Sequence, residues 1–135
     1  MDSSKTKAAR QPAILIVEDE FIVALEIQDR LEREGYAVCA TVGTGAEAVQ
    51  KDEECAPDLI LMDITLRGGM SGLEAAARIL NRRKIPIIFL TASGNEDVLR
   101  QVRILDAAGV ISKPFEEDHL LGVIRRRLEE GDPGA

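Results

Sequence analysis

The sequence predicts an α/β fold: a doubly wound (βα)5 sandwich built on a five-stranded parallel sheet. Short apolar runs alternate with amphipathic helical patterns five times along the chain. The runs are continuously apolar, as strands covered on both faces are, and do not alternate polar with apolar. A chain that alternates strand and helix throughout returns each strand parallel to the last by a right-handed crossover. The 135 residues, 45% hydrophobic and 30% charged, match one globular domain that buries a core without disulfide or metal staples.

Each element has its own signal. Residues 1–12 are polar, rich in Ser, Lys, Thr and Gln, and read as a flexible leader closed by Pro12. They carry no apolar stretch of the kind a secretory signal needs. No run in the chain approaches the roughly 20 residues of a membrane span, so a cytoplasmic location is expected. The first run, Ala13–Val17, precedes a helix striped by Ala24, Ile27 and Leu31 and stopped at Gly35. The second, Tyr36–Val42, leads to a helix opened by Thr44 with Glu47, a capping box in which each residue's side chain satisfies the other's backbone amide. The third, Leu59–Met62, follows Pro57. Its helix opens at Ser71 with Glu74 and is striped by Leu73, Ala76, Ala77 and Leu80. The fourth, Ile85–Leu90, has Pro86 at its entry, where a missing amide is tolerated. Its helix opens at Ser93 with Glu96 and carries Val98, Val102 and Leu105. The fifth is Val110–Ile111, and the last helix is striped by Leu120, Ile124 and Leu128. The domain is expected over residues 13–129, with 130–135 a tail or the start of a linker.

Composition excludes several functions. A net charge of −7 opposes direct binding of nucleic acid through the chain's own field. Aromatic residues, at 3%, supply few surfaces on which bases or flavins stack. Cys39 and Cys55 form neither a disulfide framework nor a metal motif and read as reduced thiols. His119, in the start of the last helix, and Arg125–Arg127 read as solvated surface.

In doubly wound sheets ligands bind beyond the carboxyl ends of the strands. There the sequence puts Glu18 and Asp19 after the first run, Asp63 after the third, Thr91 after the fourth and Lys113 after the fifth. Crowded carboxylates stay ionised when a cation joins them, and hard oxygen ligands suit Mg²⁺. An ammonium and a hydroxyl facing the same point suit a phosphoryl group. A carboxylate itself can accept that group as an aspartyl-phosphate, and Asp63, on the central strand, is the candidate. Singly, Asp19 reads as a helix cap, Asp63 as a turn residue, Thr91 as a helix entry and Lys113 as a solvated side chain. Those roles leave the joint placement at four strand ends unexplained.

Four segments carry a wider likeness: Ile-Leu-Ile-Val-Glu-Asp-Glu (14–20), Pro-Asp-Leu-Ile-Leu-Met-Asp-Ile (57–64), Phe-Leu-Thr-Ala (89–92) and Lys-Pro-Phe (113–115). Together they resemble the response-regulator receiver domain of two-component signalling, from about Ala13 to Leu128. The resemblance implies a flavodoxin-like strand order 2-1-3-4-5. It implies that Asp63 accepts a phosphoryl group from a histidine kinase or histidine phosphotransfer protein. It implies Mg²⁺ held by Glu18 (through water), Asp19, Asp63 and the backbone carbonyl of Thr65. Thr91 and Lys113 would bond phosphoryl oxygens, and the Lys113–Pro114 peptide would be cis. The output implied is a changed affinity for a downstream protein or fused domain, with no nucleic acid or membrane contacted directly. Such a domain is not an enzyme for a separate substrate; it catalyses only its own phosphorylation and dephosphorylation. Thr65 and Ser93 stand where receivers tune the phosphate's lifetime, and being small and uncharged they imply slow-to-moderate loss.

Several positions depart from the family pattern, among them Asp106, which stands where glycine is often found, with Gly109 three residues later. Val110 stands three residues before Lys113, where receivers usually carry Tyr or Phe. Arg67 stands where proline is common, in a loop (66–72) one residue longer than in many members. Val110 keeps open the alternative of a pseudo-receiver, a constitutive protein-interaction module. A phosphohydrolase with an aspartyl-phosphate intermediate wants an Asp where Thr65 stands. A flavin carrier wants a phosphate-binding loop where Glu18, Asp19 and Glu20 would repel one.

Overall fold

Strands and helices alternate strictly in the computed structural model, which describes residues 11–92 and 96–130. The order is β1 (Ala13–Val17), α1 (Phe21–Arg33), β2 (Ala37–Val42), α2 (Gly45–Cys55), β3 (Leu59–Asp63), α3 (Gly72–Arg82), β4 (Ile87–Thr91), α4 (Glu96–Ile104), β5 (Gly109–Ser112) and α5 (Glu117–Glu130). The strands are all parallel and lie in the order β2-β1-β3-β4-β5, as expected. Because β2 and β3 flank β1 on opposite sides, the winding reverses there. In sheets wound this way, ligands bind beyond the carboxyl ends of the strands at that switch point, here β1 and β3.

The apolar runs are continuous because alternate residues serve different layers. Ile14, Ile16, Leu59, Leu61, Ile88 and Leu90 pack with Ile27 and Leu31 of α1 and Leu120, Leu121 and Ile124 of α5. Leu15, Val17, Ile60, Met62, Ile87 and Phe89 pack with Ala48 of α2, Ala75, Ala76 and Ile79 of α3 and Val102 of α4. Burial on both faces holds for β1, β3 and β4. It does not hold for β2 and β5, which are the sheet's edges and stay half-buried or exposed along most of their length. Apolarity of the Tyr36–Val42 run therefore overstated that strand's burial.

Two of the expected caps form on the N-cap side: Thr44 Oγ1 accepts the Glu47 N–H at 3.1 Å, and Ser71 Oγ accepts that of Glu74 at 3.1 Å. The Glu47 carboxylate turns to the Thr44 hydroxyl (3.0 Å) and the Gly43 N–H (3.4 Å) instead of the Thr44 N–H. The box read at Ser93 falls outside the described residues, as do residues 1–10 of the expected leader and 131–135 of the expected tail. Pro12 is tied to the sheet, its carbonyl accepting the Ala37 N–H at 2.9 Å, and α5 runs through Glu130. The stripe of α3 sits one step back from the expected one. Gly72, Ala75, Ala76 and Ile79 are buried, Leu73 and Leu80 lie along the flanks, and Ala77 is exposed. Small residues at the centre let this helix settle close on the sheet.

Away from the carboxyl ends, Asp52 of α2 is buried and ion-paired with Arg82 (3.2 Å) and Arg83 (2.9 Å), and Arg83 also donates to the Pro57 carbonyl at 2.8 Å. Both cysteines are free. Burial first, and then neighbouring Cys55, pushes the Cys39 thiol up to about 12, so it stays protonated and unreactive at neutral pH. No described helix is long and apolar enough to cross a membrane.

Candidate functional site

The residues singled out at the strand ends converge. Asp63 and Thr91 are the last residues of β3 and β4, one step further into the strands than the apolar runs reach. Each is therefore held by the sheet ladder: Asp63 pairs with Leu90, and Thr91 with Ser112. Both are buried, as is Glu18, whose N–H donates to the Val42 carbonyl at 2.9 Å as though β1 continued.

Lys113 joins these strands. Its backbone N–H donates to the Thr91 carbonyl at 2.7 Å, anchoring it beside β4. Its ammonium then crosses to Glu18 Oε1 at 2.6 Å and Asp63 Oδ2 at 2.8 Å. The Lys113–Pro114 peptide is cis, as the resemblance implies. The remaining carboxylate oxygens take backbone donors. Glu18 Oε2 accepts the Glu20 N–H at 3.0 Å, and Asp63 Oδ1 accepts the Thr65 N–H at 3.0 Å. Asp19 completes the group: Glu18, Asp19 and Asp63 each offer an oxygen, and the three lie within 4.8 Å of one another. Asp19 does not cap α1; the N-cap position is Glu20, which makes no side-chain cap.

Charge decides what this arrangement accepts. Burial raises the Glu18 pKa above its ordinary 4.5, outweighing the Lys113 and Glu20 N–H bonds, and the nearby Asp63 charge adds to the rise. Burial alone would lower the Lys113 pKa. Its hydrogen bonds to Asp63 and Glu18 more than offset that and leave it above 10.5, a permanent ammonium. One ammonium among three carboxyl groups leaves the cluster short of positive charge. The donors are all oxygen and close together, so the cluster fits a hard divalent cation, and there is no thiol or imidazole in it to favour a softer metal.

The loop after β3 contributes two residues that motif reading did not assign to the site. A Cβ added to Gly72 would collide with the Asp63 carbonyl oxygen, and the Gly72 N–H donates to the Ile64 carbonyl at 2.8 Å. Glycine at 72 lets α3 start against the end of β3. The sequence held a signal for it, a glycine wedged between a cap and an apolar stripe, but no way to see what it touched. Arg67 places its Nε 3.6 Å from Asp19 Oδ2. The Thr65 side chain is exposed, and Ser93 is outside the described residues. His119, Arg125 and Arg126 are exposed and Arg127 is half-buried; Val110 is 37% exposed on β5.

The chain matches the response regulator receiver domain family over residues 14–125. It belongs to that family. It is 34% identical over 117 residues to the chemotaxis protein CheY of Bacillus subtilis, a match covering 85% of this chain and 96% of that protein. It is 38% identical over 116 residues to the phyllosphere-induced regulator PhyR of Methylorubrum extorquens, covering 85% of this chain and 43% of PhyR. With the transcriptional regulatory protein PdtaR of Mycobacterium tuberculosis the identity is 34% over 117 residues, covering 87% of this chain and 57% of PdtaR. The chain thus spans about half the length of these last two regulators. A crystal structure of a CheY-like response regulator receiver domain protein from Methanospirillum hungatei has the same fold, with TM-score 0.88 at 28% identity, covering 93% of this chain and all of that one. The receiver is the signalling domain of two-component response regulators, and its work is phosphorylation-controlled signalling.

The raised Glu18 pKa has a consequence for stability. A proton on Glu18 favours the folded state, so this contribution is full below the unfolded value near 4.5 and is lost as pH rises through the higher folded value. Glu18→Gln suffers no such loss. In metal-free protein, urea unfolding should show the variant gaining stability relative to wild type as pH rises from the ordinary carboxylate value of 4.5 through the higher folded value. A difference that stays flat or falls would mean that Glu18 is not held above its ordinary value.

Proposed function

We propose that Asp63 accepts a phosphoryl group from a phosphohistidine on a histidine kinase or histidine phosphotransfer protein, and that the product changes the domain's affinity for a downstream protein or fused domain. The observation that carries this reading is the pairing of Asp63 with Lys113 inside the three-carboxylate cluster. An Asp63 carboxylate oxygen attacks phosphorus while the P–N bond to the imidazole breaks. The imidazole nitrogen leaves with the bonding pair and takes a proton; later hydrolysis returns the carboxylate and inorganic phosphate. Glu18, Asp19, Asp63 and the Thr65 carbonyl would hold Mg²⁺, which when bound neutralises charge on the phosphoryl oxygens. Lys113 stands 2.8 Å from Asp63 and follows the group as it arrives, exchanging a carboxylate partner for a phosphoryl oxygen.

Thr91 is the second partner for the phosphoryl group. It ends β4 at the rim of the site, and the chain beyond it leads into α4. A dianion on Asp63 draws the Thr91 hydroxyl at the end of β4, shifting the population between two surfaces. With Val110 on β5 there is no aromatic ring to follow, so the readout runs through α4 itself.

The donor's docking face is supported by α1. Phe21 and Ile22 are 73% and 69% exposed, and Leu25 is 47% exposed, on the helix that starts two residues after Asp19. Such an apolar face beside an acidic site suits a protein donor that buries it while presenting a phosphohistidine.

The mass of the intact protein after incubation with acetyl phosphate and Mg²⁺ tests the acceptor. One phosphoryl adduct is expected, absent without Mg²⁺ and absent in a folded Asp63→Asn variant; an adduct retained in that variant would refute the assignment. The docking face separates from the chemistry. Phe21→Ala with Leu25→Ala should slow transfer from a protein phosphohistidine donor at least tenfold and leave the rate with acetyl phosphate within about twofold. Equal slowing with both donors would show that the face serves folding or chemistry, not docking.

A further inference from the structure

Among the described residues two cations serve the acidic cluster, and they divide it unequally. Lys113 is largely buried and pairs with Glu18 and Asp63. Asp19 makes its ion pair with Arg67, at 3.6 Å, and the Arg67 side chain is 82% exposed. A pair this open does little for folding, since solvent screens it and holding a long side chain costs entropy. Yet its backbone is held in place. Arg67 forms an isolated parallel bridge with Thr44, the N-cap of α2. The two glycines that follow, Gly68 and Gly69, both adopt positive φ, +92° and +86°. A Cβ on Gly68 would just touch Thr44 Cγ2, at 3.4 Å, so the positive φ and not crowding is what favours glycine there. The loop is thus bent so that the residue four positions after Asp63 leans back over the end of β1.

We infer that Arg67 is a displaceable counter-cation at the mouth of the site, a positioning residue for the reaction proposed above and dependent on that reading. In the metal-free protein its guanidinium sits on Asp19, one of the oxygens a divalent cation needs. The metal must take Asp19 from it, so Arg67 raises the metal concentration at which the site fills. With Asp19 taken, the guanidinium would lose its carboxylate partner but stay tethered at the rim of the site. There it faces the oxygens of an incoming phosphoryl donor, which must otherwise approach a chain of net charge −7. Lysine would preserve the charge and therefore most of both effects; alanine would remove them.

Calorimetric titration of Mg²⁺ into wild type, Arg67→Ala and Arg67→Lys tests this without reference to turnover. At low ionic strength Arg67→Ala should bind Mg²⁺ about three- to tenfold more tightly than wild type, and Arg67→Lys within about twofold of it. The gap should shrink to less than about twofold near 0.5 M salt, where screening spans only a few ångströms. At saturating Mg²⁺, phosphorylation by acetyl phosphate should be about threefold or more slower in Arg67→Ala, again with rescue by lysine. Equal Mg²⁺ affinity in all three proteins would overturn the role of Arg67 and leave the metal site standing. Failure of the folded wild type to bind Mg²⁺ would overturn the site reading, and the role of Arg67 with it.

Discussion

The bridge from the Lys113 ammonium to Glu18 and Asp63 is the constraint on which the site depends. Two carboxylates buried side by side at the ends of adjacent strands would repel one another, and one would be driven to take up a proton. The lysine crossing from the end of β5 keeps both close while leaving the cluster short of positive charge. A cation and a phosphoryl group are the two species that such a site attracts, one to the carboxylates and the other to the ammonium. Stability and function pull against each other here. The raised Glu18 pKa is the sign that folding alone would prefer this carboxyl uncharged.

Topology makes the bridge geometrically possible. β1, β3 and β4 are neighbours in the sheet although they are far apart in sequence, and each ends at the same rim. Because these strands are apolar throughout and covered on both faces, the first polar residue on each marks where the covered layer stops. Helices on both faces then enclose the rim from the sides. Gly72 lets α3 start directly against the Asp63 carbonyl, and the Glu20 N–H at the start of α1 bonds Glu18. The edges of the sheet do different work: β2 steadies Glu18 through the Val42 carbonyl, and β5 delivers Lys113.

Much of this was legible in the residues. Continuous apolarity marked the central strands because alternate side chains fill two separate layers, and it carried Glu18, Asp19, Asp63, Thr91 and Lys113 to one rim by topology alone. The same signal failed at the edges, where Tyr36–Val42 is as apolar as a central strand but has neighbours on one side only. The α3 stripe was misplaced by one step for a related reason: hydropathy favours Leu73 and Leu80, whereas close approach to the sheet selects Gly72 and Ala75. Asp19 looked like a helix cap because that is what a lone Asp before a helix does. Only the distances show it turned toward Glu18 and Asp63. Arg67 was visible as an unusual residue in a long loop, but its partner was not, since that pairing depends on how two glycines bend the backbone. Asp52 was missed altogether, because its two arginines come from another helix and the residue after it.

On the proposed function, the strand-end cluster places a phosphoryl group on one particular carboxylate, that of Asp63. Borohydride reduction of the phosphorylated protein, followed by peptide sequencing, tests that most directly, because it turns an acyl phosphate into an alcohol at the residue that carried it. Homoserine at position 63 and nowhere else is the predicted result. Reduction at Glu18 or Asp19, or a phosphoryl group that borohydride does not remove, would contradict the account.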